Sequence, residues 1–460
     1  MLCQRTTMAA RERGIFTPED AHSEVDRQNR PPRTLEWRPN SNQCIELTIP
    51  PTVYPPREDT DLMAKRLIQL GSGKGRKFLE IGCGSGALSI LASSLGWNVH
   101  ACDVNPFAVA ATRGNLAKNL QTGIIKEGGI GPDGFPFEDR FDLIIWNLPY
   151  IPAEEVREVL GPMEEAGLID TDKQGLQSRF ISLVVKKNLL ATDGKMLLLG
   201  RTGSVKPSEN FAVRGWDTLE FDDGESLTVF SLWKPWENAE NIFVQSTGST
   251  NDDLFHKSGV GTHISTPLQT SGKGRRDRKW NSIEECYAGS WIVAEDTNVN
   301  PGLIQLSGGL AVIKSIQSER LKLKWPNDIL IDGRKLCGVL VEGKSSQNST
   351  KVVLGIGINL HTSDKVIDGK EISTLDEIGK LDFQLLDRKL NSELSSLIEE
   401  REDIPPVNFD SIRAEILMHM RLLGCPKYRG VVYDNFELNE RGELVLGHYI
   451  IDDGEDISWV

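Results

Sequence analysis

Between Gln269 and Trp280 the sequence reads QTSGKGRRDRKW, in which Lys273, Arg275, Arg276, Arg278 and Lys279 supply five cations against the single anion Asp277. Gly272 and Gly274 let a ligand approach the backbone there, so the segment suits a phosphate-rich partner; a solvated basic loop is the plain alternative. Three further pieces narrow the choice. Ser249, Thr250 and Asn251 follow the strand-like run IFVQS as a compact set of hydroxyl and amide groups. Lys324-Trp325-Pro326-Asn327-Asp328 ends one strand, and Lys335-Leu336-Cys337-Gly338 opens the next across the Asp332-Gly333 turn, which brings Lys335 close to Asn327 and Asp328. Gly355-Ile356-Gly357-Ile358-Asn359 ends a third. Phosphate-binding cations, a carboxylate suited to Mg²⁺ and an additional lysine are the equipment for activating a carboxylic acid with ATP.

A second set of residues lies upstream. Glu80-Ile81-Gly82-Cys83-Gly84-Ser85-Gly86 follows an expected strand and opens an expected helix, so a ligand can lie against backbone amides at the helix N-terminus. Asp103 ends the next strand, the place from which a carboxylate accepts from ribose hydroxyls. This describes a nucleoside-containing cofactor. The glycines alone also fit a nicotinamide or flavin fold, with Ala87 as the third small residue, or a tight turn with no ligand. The run FDLIIW then leads into Asn147-Leu148-Pro149-Tyr150. The Asn147 side-chain oxygen and the Leu148 carbonyl can each accept one N–H of a planar amide, Pro149 fixes the turn and Tyr150 can stack on the group. An amide nitrogen is a poor nucleophile, and holding it dry and in line with a sulfonium methyl supplies orientation without a strong base.

The elements that position these residues fall into two patterns. KFLEIGC, NVHACDV, FDLIIWNLPY, KMLLLG and SLTVFSLW read as strands, with SGALSILASSLG and NPFAVAATRGNLAKNL as helices between them, implying a parallel, doubly wound α/β sheet. From Asn241 the order changes. A strand, the basic loop, the apolar stretch GSWIVAE, the helix PGLIQLSGGLAVIKSIQ and strand-like runs at LKLKWPNDILI, KLCGVLVE and KVVLGIGINL suggest a mixed α+β sheet. The helical stretch LLDRKLNSELSSLIEE follows, and from about Leu422 short strands form a small β appendage too small to be stable alone. The expected division is a polar, mobile leader over 1–44, an α/β domain over 45–238, an α+β domain over 239–421 and the β domain over 422–460.

Composition sets outer bounds. A chain of 460 residues exceeds what one core usually organises, and 39% apolar with 26% charged residues excludes a wholly disordered or fibrous protein. With 52 Lys+Arg against 66 Asp+Glu the net charge of −14 disfavours broad nucleic-acid binding. The seven cysteines form no C-x-x-C pair, so reduced thiols and a cytoplasmic location are expected. The N-terminal residues lack the apolar stretch of a signal peptide, and no long apolar run follows, so no membrane is expected.

The E-x-G-x-G-x-G loop, Asp103 and the NLPY turn resemble class I S-adenosylmethionine methyltransferases of the N-methylating kind, whose usual turn is Asn-Pro-Pro-Tyr. Upstream, Val53-Tyr54-Pro55-Pro56-Arg57-Glu58-Asp59-Thr60 is similar to the segment preceding the core in the archaeal and eukaryal branch of the HemK family. That branch methylates a glutamine side chain in a translation release factor. The resemblance covers about residues 45–235 and implies that Glu80, Gly82, Gly84, Gly86 and Asp103 bind S-adenosylmethionine, with Asn147, Pro149 and Tyr150 holding the target amide. Leu148 stands where the family has proline, so the turn keeps its carbonyl and loses one fixed φ.

From about residue 241 to 460 the four motifs, in this order, resemble biotin protein ligase. That family joins biotin to ATP as biotinyl-5′-AMP, then passes the biotinyl group to a lysine of a biotin carboxyl carrier domain. The resemblance implies a class II synthetase-like catalytic domain followed by an SH3-like β domain. It assigns Ser249, Thr250 and Gln269 to the polar end of biotin, with Asn251, Gly338 and Gly355 in the same biotin and adenylate site. Gly272, Lys273, Gly274 and Arg275 form the loop over the adenylate, and Lys335 contacts the carboxylate and α-phosphate. Trp280 and Asn359 belong to the adenosine side, while Lys324, Asn327 and Asp328 support phosphate or Mg²⁺. Lys273 replaces an arginine and Asp277 a glycine of the family pattern, which removes a bidentate fork and adds an anion beside the phosphates.

A lipoate ligase is set aside because its arginine-and-triple-glycine loop has no counterpart. A DNA-binding repressor is set aside because no helix-turn-helix precedes the ligase block and the chain is acidic. The sequence therefore reads as a bifunctional enzyme using ATP, biotin, Mg²⁺ and S-adenosylmethionine. Its expected partners are a biotin carboxyl carrier domain and a translation release factor, with no DNA. The alternative keeps the ligase and treats the first domain as a binding module, or as acting on another protein or nucleic-acid amine.

Overall fold

The computed structural model describes residues 26, 29–131, 134–149, 151–152, 169–170, 175–222, 224–280, 283, 285–297, 299–345, 350–364, 366–367 and 369–460. The chain divides into two compact units, Met1–Lys206 with Arg214–Trp233, and Pro207–Val213 with Lys234–Val460. No helix among the described residues is long and apolar enough to cross a membrane. Cys44, Cys83, Cys102, Cys286, Cys337 and Cys425 are free thiols.

The first unit opens with an antiparallel hairpin, β1 (Arg33–Asn40) and β2 (Gln43–Ile49). The expectation of an unpacked leader through residue 44 therefore fails from Arg33 onward. Trp37, Ile45, Leu47 and Ile49 alternate onto one buried face and pack with Met63, Leu67, Leu88 and Leu91, an apolar gain that outweighs the polar composition of the segment. Asn115 ties β2 in place, accepting from the Thr48 N–H at 2.8 Å and donating to the Thr48 carbonyl at 3.0 Å.

Then come α1 (Glu58–Gln69), β3 (Lys77–Ile81), α2 (Ala87–Ser94), β4 (Asn98–Asp103), α3 (Pro106–Lys118), β5 (Ile124–Glu127) and β6 (Phe141–Asn147). The two-residue pair β7 (Ile151–Pro152) and β8 (Ile169–Asp170), α4 (Leu176–Lys187), β9 (Leu190–Arg201), β10 (Ala212–Glu220) and β11 (Ser226–Trp233) complete the series. Asn105 caps α3 by accepting from Phe107 N–H at 2.9 Å, and Pro106 starts the helix with φ preset. The sheet runs β10-β11-β9-β6-β3-β4-β5. Strands β3, β4, β6 and β9 pair in parallel as expected, β5 adds a further parallel strand beside β4, and SLTVFSLW departs from the parallel pattern: β11 pairs antiparallel with β9 because no helix carries the chain back across the sheet between them. The chain winds outward from β3 to β5 and returns to β6 on the other side of β3. The carboxyl ends of β3 and β6 thus flank the point where the winding reverses, where open sheets bind ligands.

The second unit contains β12 (Asn241–Phe243), α5 (Thr250–Leu254), β13 (His263–Thr266), the pair β14 (Gly272–Lys273) and β15 (Lys279–Trp280), β16 (Glu285–Glu295) and α6 (Pro301–Ile316). It continues through β17 (Leu321–Lys324), β18 (Asp328–Ile331), β19 (Arg334–Ser345), β20 (Thr350–His361), β21 (Val366–Ile367), β22 (Lys370–Glu371), α7 (Phe383–Ile398) and α8 (Phe409–Arg421). Its sheet runs β12-β13-β16-β20-β19-β18-β17, antiparallel except for the β12–β13 pair. The run LKLKWPNDILI, expected as one strand, is two. Pro326 has no N–H for a ladder, and the chain turns at Trp325-Pro326-Asn327 between β17 and β18.

The C-terminal residues form two three-stranded sheets, β24-β23-β28 and β25-β26-β27, from β23 (Pro426–Tyr428), β24 (Val431–Val432), β25 (Glu437–Leu438), β26 (Leu444–Leu446), β27 (Tyr449–Ile451) and β28 (Ile457–Trp459). Phe436, Leu438, Leu444 and Leu446 belong to the same buried cluster as Leu306 and Leu310 of α6 and Ile416 and Met420 of α8. A unit this small gains stability by sharing that core. Trp325, 2% exposed, donates its indole N–H to the Gly442 carbonyl at 2.9 Å, so the KWPND turn also anchors the appendage.

Candidate functional site

In the second unit a cavity of 1220 Å³ is lined by Ser249, Thr250, Asn251, Gln269, Lys273, Gly274, Arg275, Trp280, Lys324, Asn327, Asp328, Lys335, Gly338, Gly355 and Asn359. Gly272 is buried beside this wall, opposite Trp280 in the β14–β15 ladder. Residues from four separated motifs therefore surround one space.

Its floor is glycine for a steric reason. Gly338 and Gly357 are cross-strand partners on β19 and β20, and the Trp280 ring lies over both. A Cβ on Gly357 would stand 2.8 Å from Trp280 Cε2, and one on Gly338 3.1 Å from Cζ3. A Cβ on Gly355 would overlap Asn251 Oδ1. The Trp280 indole N–H is buried with no hydrogen-bond partner among the described residues, an orphan donor that suits a ligand acceptor. The place of Gly357 opposite Gly338 is set by strand register, which the spacing of the GIGIN motif alone does not disclose.

At one end, Thr250 donates its backbone N–H and its hydroxyl to Gln269 Oε1, at 2.9 and 3.1 Å, and Ser290 Oγ lies 2.6 Å from Thr250 Oγ1 and donates to Asn251 Oδ1 at 2.6 Å. Asn251 in turn donates to Glu342 at 2.7 Å. Ser249 caps α5. Ser290 and Glu342 complete this network and carried no sequence signal, being isolated polar residues within strands.

At the other end, Lys335 Nζ lies 2.6 Å from Asp328 Oδ1 and 5.5 Å from the centroid of the Trp280 ring. The register sets this meeting, because Leu330 pairs with Lys335 and Asp328 with Gly338. Asn327 donates to the Val339 carbonyl at 3.2 Å and so holds the turn against β19. The Asn359 amide donates to the Lys335 and Ser373 carbonyls at 3.3 and 3.1 Å, so both its hydrogens serve the protein rather than an open position.

The basic loop is a short hairpin whose apex, Arg275–Asp277, makes one 3₁₀ turn. Lys273 pairs with Asp252 at 2.6 Å; that hydrogen bond holds the Asp252 carboxyl below its ordinary range and raises the Lys273 ammonium above its own. Arg276 pairs with Asp453 and, at 2.8 Å, with Glu455, while Arg278 also pairs with Glu455 and Arg275 lies 3.9 Å from Asp453. Two acidic residues of the β appendage thus meet the loop cations, a contact between segments 175 or more residues apart that the sequence did not announce. The side chain of Asp277 lies outside the described residues.

In the first unit Gly82, Gly84 and Gly86 adopt φ of 69°, 51° and 81°, which residues bearing a Cβ rarely adopt. Asp103, at the end of β4, accepts from Gly84 N–H at 2.9 Å and Asn105 N–H at 2.8 Å, binding the loop to the neighbouring strand. A carboxylate has about four acceptor positions, so capacity for a hydroxyl remains. Burial raises the Asp103 carboxyl above its usual range. Glu80 is deeper, 5% exposed, and accepts from the Ser89 hydroxyl at 2.5 Å; burial, aided by the charge of Asp103, pushes it to about 8.

Asn147 ends β6, across the reversal point from this loop, and donates from Nδ2 to Asp59 Oδ2 at 2.7 Å. Its Oδ1 is buried with no hydrogen-bond partner among the described residues. Leu148 is 6% exposed and donates its N–H to the Leu199 carbonyl at 3.0 Å, so the sheet ladder continues into the turn. Pro149 is buried, and Tyr150 lies outside the described residues. Among the described residues no group of three or more His, Cys, Asp or Glu side chains could hold a metal ion.

Two units emerge: a doubly wound domain with a glycine loop and strand-end carboxylate suited to a nucleoside cofactor, and a mixed-sheet domain with a cation-lined cavity suited to an acyl nucleotide. Comparison with known proteins gives them families. Residues 242–359 match the biotin/lipoate A/B protein ligase family, and residues 59–159 match the ribosomal protein L11 methyltransferase (PrmA) family. The chain is 29% identical to a biotin--[acetyl-CoA-carboxylase] ligase of Mycobacterium tuberculosis, over 44% of this chain and 81% of that protein. It is 31% identical to a putative protein N5-glutamine methyltransferase of Methanocaldococcus jannaschii, over 30% of this chain and 67% of that protein. A solved biotin protein ligase from Aquifex aeolicus, in complex with biotin and ATP, shares 25% identity over 48% of this chain and 95% of that one, with a TM-score of 0.35. Other curated ligases are matched over less than two thirds of their length. The chain thus joins a HemK-like methyltransferase domain, related to the protein N5-glutamine methyltransferase, to a domain similar to biotin protein ligases.

Proposed function

We propose that the second unit attaches biotin to a lysine of a biotin carboxyl carrier domain through biotinyl-5′-AMP. The observation that carries this reading is the convergence of Lys273, Arg275, Trp280, Lys335 and Gly338 on one cavity with Thr250 and Gln269 at its other end. In the first step a biotin carboxylate oxygen attacks the α-phosphorus of ATP and pyrophosphate leaves. Two anions meet, so Lys335 and the loop cations offset the charge that builds in the transition state. In the second step the carrier lysine amine attacks the carbonyl of the mixed anhydride, loses a proton, and AMP leaves. No protein nucleophile is required. The Thr250–Gln269–Ser290–Asn251 network supplies directional partners for the polar end of biotin, and the Trp280 ring a surface for the adenine.

A single carboxylate combined with phosphate oxygens is an ordinary way to hold Mg²⁺, and Asp328 fits that donor set at the cavity wall. Bound there, the ion would neutralise phosphate charge.

The first unit is proposed to transfer a methyl group from S-adenosylmethionine to a carboxamide nitrogen, with a glutamine of a translation release factor as the acceptor; the nitrogen attacks the methyl carbon, S-adenosylhomocysteine leaves as the S–CH3 bond breaks, and one N–H proton passes to solvent. Support comes from the buried Asn147 Oδ1, which has no hydrogen-bond partner among the described residues and is an acceptor fitted to one N–H of an amide. Asp103 and the glycine loop would hold the nucleoside. These chemistries suit the cytoplasm. Incubating the whole chain with biotin, ATP, Mg²⁺ and a carrier domain tests the first activity by the mass of biotinyl-AMP and of the modified carrier. A parallel incubation with labelled S-adenosylmethionine and a release factor tests the second. Absence of adenylate removes the ligase reading, and absence of transferred label removes the methyl-transfer reading.

A further inference from the structure

Asp59 is the second residue of α1, introduced by Pro55 and Pro56, and it is 5% exposed. Its Oδ2 accepts from Asn147 Nδ2 at 2.7 Å and from the Tyr54 hydroxyl at 3.4 Å. Its Oδ1 accepts from the Thr60 N–H at 2.6 Å and from the Thr60 hydroxyl at 3.2 Å. A carboxylate offers about four acceptor positions, and here four donors address them. The segment carrying Asp59 is itself fixed over the cofactor loop: Asn105 donates to the Thr52 carbonyl at 3.0 Å, and a Cβ on Gly84 would stand 3.5 Å from the Tyr54 carbonyl oxygen.

We propose that Asp59 is a positioning residue for the methyl acceptor, fixing the Asn147 carboxamide so that its Oδ1 alone is presented to the acceptor nitrogen. This rests on the methyl-transfer reading of the same unit. A carboxylate only accepts, so it must face the NH2 of Asn147; turning the amide over would set two acceptors against each other inside a buried site. The Oδ1 is the atom left without a donor among the described residues. The device matters more in this chain because Leu148 occupies a turn position that proline holds in similar sequences, and the amide plane needs another restraint. Because four donors already address Asp59, it does not take a proton from the acceptor. That matches a neutral carboxamide, whose transfer depends on alignment more than on a base.

The test uses the full chain and its Asp59→Asn variant. Asparagine can pair with Asn147 in either orientation, so the amide loses its single setting while the volume is kept. The expected result is a roughly 100-fold loss in kcat/KM for a glutamine-bearing peptide, the scale of a misplaced reacting group. Affinity for S-adenosylmethionine by calorimetry stays within about two-fold, since Asp103 and the loop are untouched. The Asn147 side-chain NH2 resonance, assigned by its loss in Asn147→Ala, should show slow solvent exchange in the wild type and move in Asp59→Asn. Unchanged transfer, or an exposed fast-exchanging NH2 in the wild type, overturns the proposal. So does loss of cofactor affinity in proportion to transfer, which marks a merely structural residue. If Asp59→Asn does not fold, the wild-type resonance alone decides. If the wild type methylates no peptide, the methyl-transfer reading falls while the resonance still reports whether Asp59 holds the amide.

Discussion

Lys335 Nζ stands 2.6 Å from Asp328 Oδ1, on neighbouring strands, at the wall of the cavity shared with the basic loop. On the proposed ligase reading, this lysine would exchange that anion for a phosphate when nucleotide enters, and the freed carboxylate would be available to a metal ion. Lys335→Ala should lower biotin-dependent adenylate formation by roughly 100- to 1000-fold, the usual loss when a donor to developing charge is removed. Thermal stability should stay near that of wild type. Single-turnover assays read the first and a melting curve the second.

Arg275 lines the same cavity and its guanidinium is 3.9 Å from Asp453. Arg275→Gly removes a cation from the loop that would cover the adenylate, so activated biotin should escape before the carrier arrives. Nonspecific labelling of bystander lysines should rise several-fold while carrier labelling falls. Equal bystander labelling by the two proteins would contradict this role.

Gly357 leaves 2.8 Å between an added Cβ and the Trp280 ring, closer than atoms pack. Gly357→Ala should displace the indole, cost about 1–3 kcal/mol as overpacking does, and raise KM for ATP more than KM for biotin. Steady-state kinetics with each substrate varied separately checks the asymmetry.

Asp103 joins the glycine loop to β4 through Gly84 and Asn105. Asp103→Ala should abolish binding of labelled S-adenosylmethionine and leave biotinylation by the second unit intact. Retained binding would remove the cofactor role given to this carboxylate.

Glu80 is pushed to about 8 by burial, with the charge of Asp103 adding to the shift. A raised folded-state value means the folded chain keeps a proton that the unfolded chain loses. The stabilisation is therefore fully present below about pH 4.5 and is lost as pH climbs through about 8, a window worth on the order of 5 kcal/mol at full linkage. Glu80→Gln keeps an acceptor for Ser89 and has no proton to lose. The drop in melting temperature of the first unit between pH 5.5 and 8 should shrink in the variant.

The pieces legible in the sequence were those whose chemistry is local. The glycine loop, the KWPND turn and the basic loop each carry their residue types within a few positions, and the hydrophobic runs around them fix strand and helix type. The hairpin of Arg33–Ile49 was missed because Pro31, Pro32 and Pro39 punctuate it, while its burial depends on α1 and α2 rather than on its own composition. Ser290 and Glu342 were missed because each is a lone polar residue in a strand, brought against Asn251 only by the register of β16, β19 and β20. Asp59 was read within PPREDT, but its hydrogen bond to a residue 88 positions away is a product of the fold. The pairing of Arg276 and Arg278 with Asp453 and Glu455 is likewise a property of packing that charge counting leaves invisible.

On the proposed reading, a carboxylic acid meets the α-phosphate of ATP in one cavity of the second unit. Exchange of labelled pyrophosphate into ATP by the intact chain measures that step directly, without a carrier domain. Exchange should require biotin and Mg²⁺, persist in Asp103→Ala and be lost in Lys335→Ala. Exchange that is absent with biotin present, or that survives unchanged in Lys335→Ala, would contradict that reading.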